Sequence, residues 1–180
     1  MTGLRVFVLL AALLVCGAVQ AGQPPEPDGF RMESYRGPVP DSLQGATVLD
    51  DDGARALWES GSAKFVDVLP RPPKPKNLPE GTIWRDKPRH SIPGSTWLVN
   101  VGYGAIAEET DRYFRDGLAE VTGGDKRRAI VFFCLADCWM SWNAAKRALG
   151  YGYTTIYWYP AGTDGWTANS WATEKVEPHP

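Results

Sequence analysis

Ile130-Val131-Phe132-Phe133-Cys134-Leu135-Ala136-Asp137-Cys138-Trp139 is the stretch from which the rest of the chain is read. Its first four residues are β-branched and aromatic, the composition of a buried strand. Beyond the second cysteine, Trp142, Ala145, Ala148 and Leu149 recur at helical spacing. The stretch is therefore a strand, a thiol loop and a helix. In an open α/β sheet, ligands gather at the carboxyl ends of strands, and the amino end of a helix favours an anion such as a thiolate. The chemistry of the chain is expected at this loop.

On the carboxyl side, Gly150-Tyr151-Gly152 ends the helix and Thr154 to Tyr159 is a β-branched, aromatic strand. Pro160 to Trp171 closes the domain with a short helix, leaving 173–180 as a C-terminal tail. On the amino side, Gly123-Gly124-Asp125-Lys126 turns the chain in from an amphipathic helix over Ala105 to Leu118. Before it come a strand over Thr96 to Val101, the segment Arg89 to Ser95, and a brief strand or turn at Thr82 to Arg85. Pro70, Pro72, Pro73, Pro75 and Pro79 exclude helix or interior strand and mark a long surface loop. Phe65-Val66-Asp67-Val68-Leu69 is a short strand carrying an acid. Asp50 to Asp52 cap a short helix over Ala54 to Ser60. Strand, loop, strand, helix, strand, helix, strand is the order of an α/β domain: a central parallel sheet with helices on both faces, three layers in all.

A chain of 180 residues with 43% hydrophobic content supports one domain of ordinary size. Its formal net charge of -2 provides no basic surplus to neutralise a phosphate backbone, so nucleic acid is not an expected partner. Residues 1–21 carry Arg5, an apolar run from Val6 to Val15 and a small-residue pattern ending at Ala21, the layout of a secretory signal peptide. The run is shorter than the roughly 20 residues that cross a bilayer, so no membrane span is expected after its removal. Cleavage also removes Cys16, leaving Cys134 and Cys138 as the only cysteines of an exported chain. A pair four positions apart closes too small a loop to staple a fold, which favours a redox or ligand role. Residues 22–44, rich in proline, form an N-terminal arm that either wraps the domain or stays mobile, and 45–172 form the domain itself.

In order along the chain, Phe65-Val66-Asp67-Val68, His90-Ser91-Ile92-Pro93-Gly94-Ser95, Val131-Phe132-Phe133-Cys134 and Ile156-Tyr157 through Gly162, Gly165 and Trp166 together resemble the rhodanese superfamily. Closer still, Cys134 to Arg147, Tyr157-Trp158-Tyr159-Pro160 and Gly162-Thr163-Asp164-Gly165-Trp166 resemble the rhodanese-like proteins described as PQQ-dependent catabolism-associated CXXCW motif proteins. Here three residues separate the cysteines, one more than that name specifies. The resemblance implies a rhodanese-like fold and a periplasmic accessory role beside a quinoprotein dehydrogenase or its electron acceptor. It also implies Cys134 as the nucleophile. Trp139 stands where many rhodaneses place an arginine. With Leu135, Ala136, Asp137 and Trp139 the loop offers no cation for thiosulfate, and Asp137 would repel it. Ordinary thiosulfate sulfurtransferase activity is not expected.

The remaining options are sulfur transfer by another donor or thiol-disulfide exchange. Loop N–H groups and the following helix would stabilise a Cys134 thiolate, with Cys138 as the resolving thiol. Four helical positions put the two Cα atoms roughly 6 Å apart, within disulfide reach. The bland alternative is that both cysteines are inert packing beside Trp139 and Trp142. Asp67 either accepts a loop hydrogen bond or orients a substrate, or it simply caps a turn, and His90 is more naturally a hydrogen-bonded structural residue than a base. Arg71, Lys74, Lys76 and Arg89 are candidate sources of the missing positive charge. No cofactor is required, although copper at the thiols with His90 or His179, or PQQ against Trp139, Trp142, Trp158 and Trp166, are the two contacts to consider. No metal site is assigned.

Overall fold

The computed structural model describes residues 22–180; the expected signal peptide and Cys16 lie outside the described residues. In chain order the elements are β1 (Ala46–Val48), α1 (Asp51–Ser60), β2 (Lys64–Asp67), β3 (Arg89–Ser91), β4 (Thr96–Trp97), α2 (Glu108–Thr122), β5 (Ile130–Phe133), α3 (Trp139–Gly150), β6 (Ile156–Tyr159), α4 (Gly162–Ala168) and β7 (Glu174–Val176). Five strands form a parallel sheet in the order β1-β6-β5-β2-β4, with β5 at its centre. The α/β fold expected from the sequence is the one observed.

Alternation along the strands builds two cores. Val66, Ile130, Phe132, Ile156 and Trp158 point to one face, where Phe114 and Leu118 of α2 and Trp142, Ala145 and Ala148 of α3 cover them. Phe65, Val131, Phe133 and Tyr159 point to the other, covered by Ala54 of α1 and Trp166 of α4. Both faces being buried explains why Ile130 to Phe133 reads as an unbroken apolar run. Trp142, Trp158 and Trp166 are fully buried and Trp139 nearly so. These four indoles lie in the core.

The chain leaves β5 toward the α3 face and leaves β6 toward the α4 face. Neighbouring parallel strands whose connections diverge leave a crevice outside their carboxyl ends. Cys134 stands at that crevice.

Four segments differ from the sequence expectation, the first being the strand expected over Thr96 to Val101, which is confined to Thr96–Trp97. The helix expected over Ala105 to Leu118 runs over Glu108–Thr122, with Ala107 as its N-cap and the left-handed Gly123 as its C-cap. Thr82 to Arg85 forms no strand; instead Arg89–Ser91 does, pairing antiparallel with β7 in a second, two-stranded sheet. The C-terminal tail is thereby docked: the His179 N–H donates to Trp97 O at 2.9 Å, and Tyr113 donates to His179 O at 3.1 Å. Of the two fates open to the N-terminal arm, wrapping is observed. Val39 and Leu43 are buried in the α2/α3 core, Lys146 Nζ donates to Pro27 O at 2.9 Å, and Trp142 Nε1 donates to Ser42 O at 3.1 Å.

Candidate functional site

Cys134 follows directly on β5, and Cys138 is the N-cap residue of α3. The two are joined as a disulfide, with Cα atoms 6.2 Å apart. Both sulfur-bearing residues are covered, Cys134 being 0% and Cys138 3% exposed. The turn between them is completed by Asp137 at φ 51°, a left-handed conformation that costs a non-glycine residue roughly 1 kcal/mol or more. Leu135 and Ala136 are half-buried and Asp137 is exposed.

From behind, the loop is held by the start of α4. The Thr163 N–H and Oγ1 both donate to Cys134 O, at 3.0 and 3.3 Å. Thr163 Oγ1 accepts from Arg89 Nη2 at 3.2 Å. Arg89 Nε donates to Asp67 Oδ2 at 2.7 Å, and Ser91 Oγ donates to the same oxygen at 2.6 Å. The other carboxylate oxygen of Asp67 accepts from the Leu69 N–H at 2.9 Å. Asp67 thus caps the turn after β2 and is linked through Arg89 and Thr163 to the carbonyl of Cys134. The pair is buried, Asp67 at 0% and Arg89 at 8% exposure, and a buried ion pair stands only when its remaining hydrogen-bonding groups are satisfied, as here. Gly162, at φ 54°, completes this wall: a Cβ there would lie 2.4 Å from Cys134 O, so the close approach of α4 to the loop requires glycine.

The expectation that loop N–H groups await a thiolate meets two partners already in place. The Ala136 N–H donates to Asp164 Oδ2 at 3.0 Å. The Trp139 N–H, first in α3, donates to Tyr35 O at 3.0 Å.

In front, residues of the arm lie across the loop. Arg36 forms a β-bridge with Cys138, and the Gly37 N–H donates to Asp137 O at 3.0 Å. Trp139 Nε1 donates to Pro38 O at 3.0 Å, while the Arg31 guanidinium sits 5.2 Å from the Trp139 ring centre. Asn143 accepts from the Arg31 N–H and donates to Arg31 O, both at 2.9 Å.

To one side, a cavity of about 540 Å³ is lined by Leu69, Pro70, Pro88, Trp97, Arg89 and Leu135, with Arg71 and Lys87 at its rim. Here the proline-rich loop meets the residue next to Cys134. His90 also borders this cavity but is exposed, opposite Lys175 in the two-stranded sheet, and does not join the Asp67 cluster. The structural hydrogen-bonding role expected of His90 is taken by its neighbours Arg89 and Ser91, whose side chains point the other way. His179 faces Glu120, 3.3 Å away, so neither histidine meets the cysteines. Among the described residues no three His, Cys, Asp or Glu side chains converge as a metal site, and no helix there is long and apolar enough to cross a membrane.

Thr163, Asp164 and the arm were not singled out as site residues from sequence. The signal for the first two was present in Gly162-Thr163-Asp164, read there as part of the resembling motif and of the closing short helix; that for the arm was absent, because its partners are backbone atoms.

No family model matches the chain, and no curated protein does. Solved structures give matches at low identity. A polysulfide-sulfur transferase homodimer from Wolinella succinogenes is 17% identical, with 75% of this chain and 82% of that chain covered and a TM-score of 0.46. A thiosulfate sulfurtransferase from Pseudomonas aeruginosa is 17% identical over 74% of this chain and 21% of that one, at TM-score 0.49. EanB in complex with ergothioneine is 19% identical over 80% of this chain and 34% of that one, also at 0.49. The chain thus spans about a fifth and a third of the latter two, and at these values no activity passes from them to it.

Proposed function

We propose that this chain is a rhodanese-like thiol protein that handles sulfur or disulfides through Cys134 and Cys138. The observation that carries the reading is the disulfide placed at the carboxyl end of the central strand, in the crevice where α3 and α4 diverge. A staple across so short a loop adds little stability, so its placement is better explained by chemistry.

The exchange balances in either mode. As an oxidoreductase, a partner dithiol attacks the disulfide, forms a mixed disulfide and is released oxidised, leaving two cysteine thiols. As a sulfur carrier, the Cys134 thiolate takes a sulfane sulfur from a persulfide donor, which leaves as a thiolate. Attack by Cys138 then releases hydrogen sulfide and restores the disulfide. A dithiol must next reduce the pair for another turn. Thiosulfate remains a poor donor on this reading, since Asp137 and Asp164 flank the loop and Arg89 is engaged by Asp67.

The finer assignment rests on the resemblance of the Cys134 to Arg147 and Gly162 to Trp166 segments. It is export by residues 1–21 into the periplasm and service to a PQQ-dependent alcohol oxidation system, with a quinoprotein dehydrogenase or its electron acceptor as partner. The burial of both sulfurs is the observation that favours a different class, a non-catalytic binding module of the same system.

Mass spectrometry of native protein separates the two. The first reading expects a disulfide that a dithiol reduces and iodoacetamide then alkylates without denaturant. Thiols that stay unalkylated until the protein is unfolded overturn it in favour of the binding module. A stoichiometric thiolate-to-copper charge-transfer band on titrating the reduced protein with copper would replace both with a copper chaperone.

A further inference from the structure

Cys138 is shut beneath the N-terminal arm, and the arm is attached to the two residues that flank it, one of them inside the ring the disulfide closes. The Gly37 N–H bonds to Asp137 O, and the Trp139 N–H bonds to Tyr35 O, one residue on either side of Cys138. Asp137, whose carbonyl accepts from Gly37, stands in the left-handed conformation at φ 51°. A non-glycine residue holds that conformation when its surroundings impose it. Asp137 lies inside the short ring closed by Cys134 and Cys138, which is one of the surroundings that hold it.

From this we infer that the arm is a redox-linked cover: residues 31–39 are latched over the cysteine pair in the disulfide form and let go when the pair is reduced. The inference rests on the reading of the pair as redox-active. A dithiol reductant delivers two electrons and two protons, the sulfur-sulfur bond breaks, and the reductant leaves as a disulfide. The ring opens, Asp137 relaxes toward negative φ, and the acceptor of Gly37 turns away. The arm stays tethered further out by Leu43 and the Trp142 bond to Ser42 O, so release is local to the bridge. Tyr35 is the hinge-side hold: its hydroxyl accepts from the Gly104 N–H at 3.1 Å, and its ring meets Tyr103 edge-on at 5.4 Å. The reduced protein then presents an open Cys138 edge, and the oxidised protein a closed one.

Linkage requires the converse: weakening the arm must make the disulfide easier to reduce. The test is hydrogen exchange of the Gly37 and Trp139 amides in the oxidised and dithiothreitol-reduced protein, with the thiol-disulfide equilibrium measured for wild type, Tyr35→Phe and Tyr35→Ala. Expected are exchange about tenfold faster on reduction, and an equilibrium shifted toward dithiol by roughly fivefold in Tyr35→Ala and less in Tyr35→Phe, the scale of losing the hydroxyl's bonds to Gly104 N–H and Met32 O and the ring contact. Exchange unchanged between redox states, or an equilibrium indifferent to both substitutions, overturns the cover even if the native thiols alkylate. Failure of alkylation in reduced Tyr35→Ala, with exchange still redox-dependent, instead removes the thiol chemistry and leaves the latch standing.

Discussion

Behind the Cys loop stands a fixed wall; in front lies a strip of backbone. The wall runs from Asp67 through Arg89 and Thr163 to Cys134 O, using side chains that are all buried and ending in a helix start pressed so close that Gly162 cannot carry a Cβ. The strip, residues 31–39, meets the loop through main-chain hydrogen bonds at Arg36 and Gly37, and much of it is exposed. Charge-assisted bonds in a dry interior are hard to remake once broken, whereas main-chain bonds at an exposed edge exchange readily with water. One side therefore fixes where Cys134 sits. The other controls whether Cys138 is covered.

The largest effect expected from this contrast follows from breaking the wall. Asp67→Ala leaves the Arg89 guanidinium buried without its partner, and loss of one member of such a pair costs about 3–5 kcal/mol. Urea unfolding should show that drop. A loss under about 1 kcal/mol would mean that Arg89 reaches water, and that the wall is as replaceable as the strip.

On the strip side the expected cost is smaller and local. Asn143, fully buried on α3, joins the arm at both polar atoms of Arg31 and donates to Gly102 O at 2.9 Å. Asn143→Ala should cost about 1–3 kcal/mol and speed exchange of the Arg31 amide more than that of the β5 amides. Equal acceleration at both would show that arm and sheet open together, and the contrast would fail.

The two sides were also unequally legible. Ile130 to Phe133, the Cys loop and α3 follow from local pattern: an apolar run, two thiols, then helical spacing. Asp67 could be seen as an acid at a strand end, but its partner Arg89 lies beyond the proline-rich loop, and an ion pair across such a distance leaves no periodic trace. His90 was the wrong member of its segment because side chains alternate along a strand. Arg89 and Ser91 turn inward to Asp67, which sends His90 out. The pairing of β3 with β7 joins two short segments from opposite ends of the domain, and neither carries a pattern that names the other. The arm was invisible for a plainer reason, since proline-rich backbone can lie down on a surface or leave it with the same composition.

Alkaline titration gives the smallest effect and reads both sides at once. Tyr159, fully buried in the α1/α4 core behind the loop, donates to Asp51 Oδ1 at 2.6 Å. Tyr151, half-buried at the end of α3, donates to Asp111. Burial, reinforced by these carboxylates, raises both phenols well above the usual tyrosine range. A group with a raised folded pKa contributes its full stability below the unfolded value, near 10, and loses it as pH rises toward the folded one. Stability should therefore be flat from pH 8 to about 10 and then fall, by at most about 1.4 kcal/mol per pH unit for each tyrosine. Denaturation midpoints of Tyr159→Phe and Tyr151→Phe against pH check this: each should flatten the decline above pH 10, with the larger change at fully buried Tyr159. A steeper dependence on Tyr151 would place the more strongly shielded phenol at the end of α3 rather than in the α1/α4 core behind the loop.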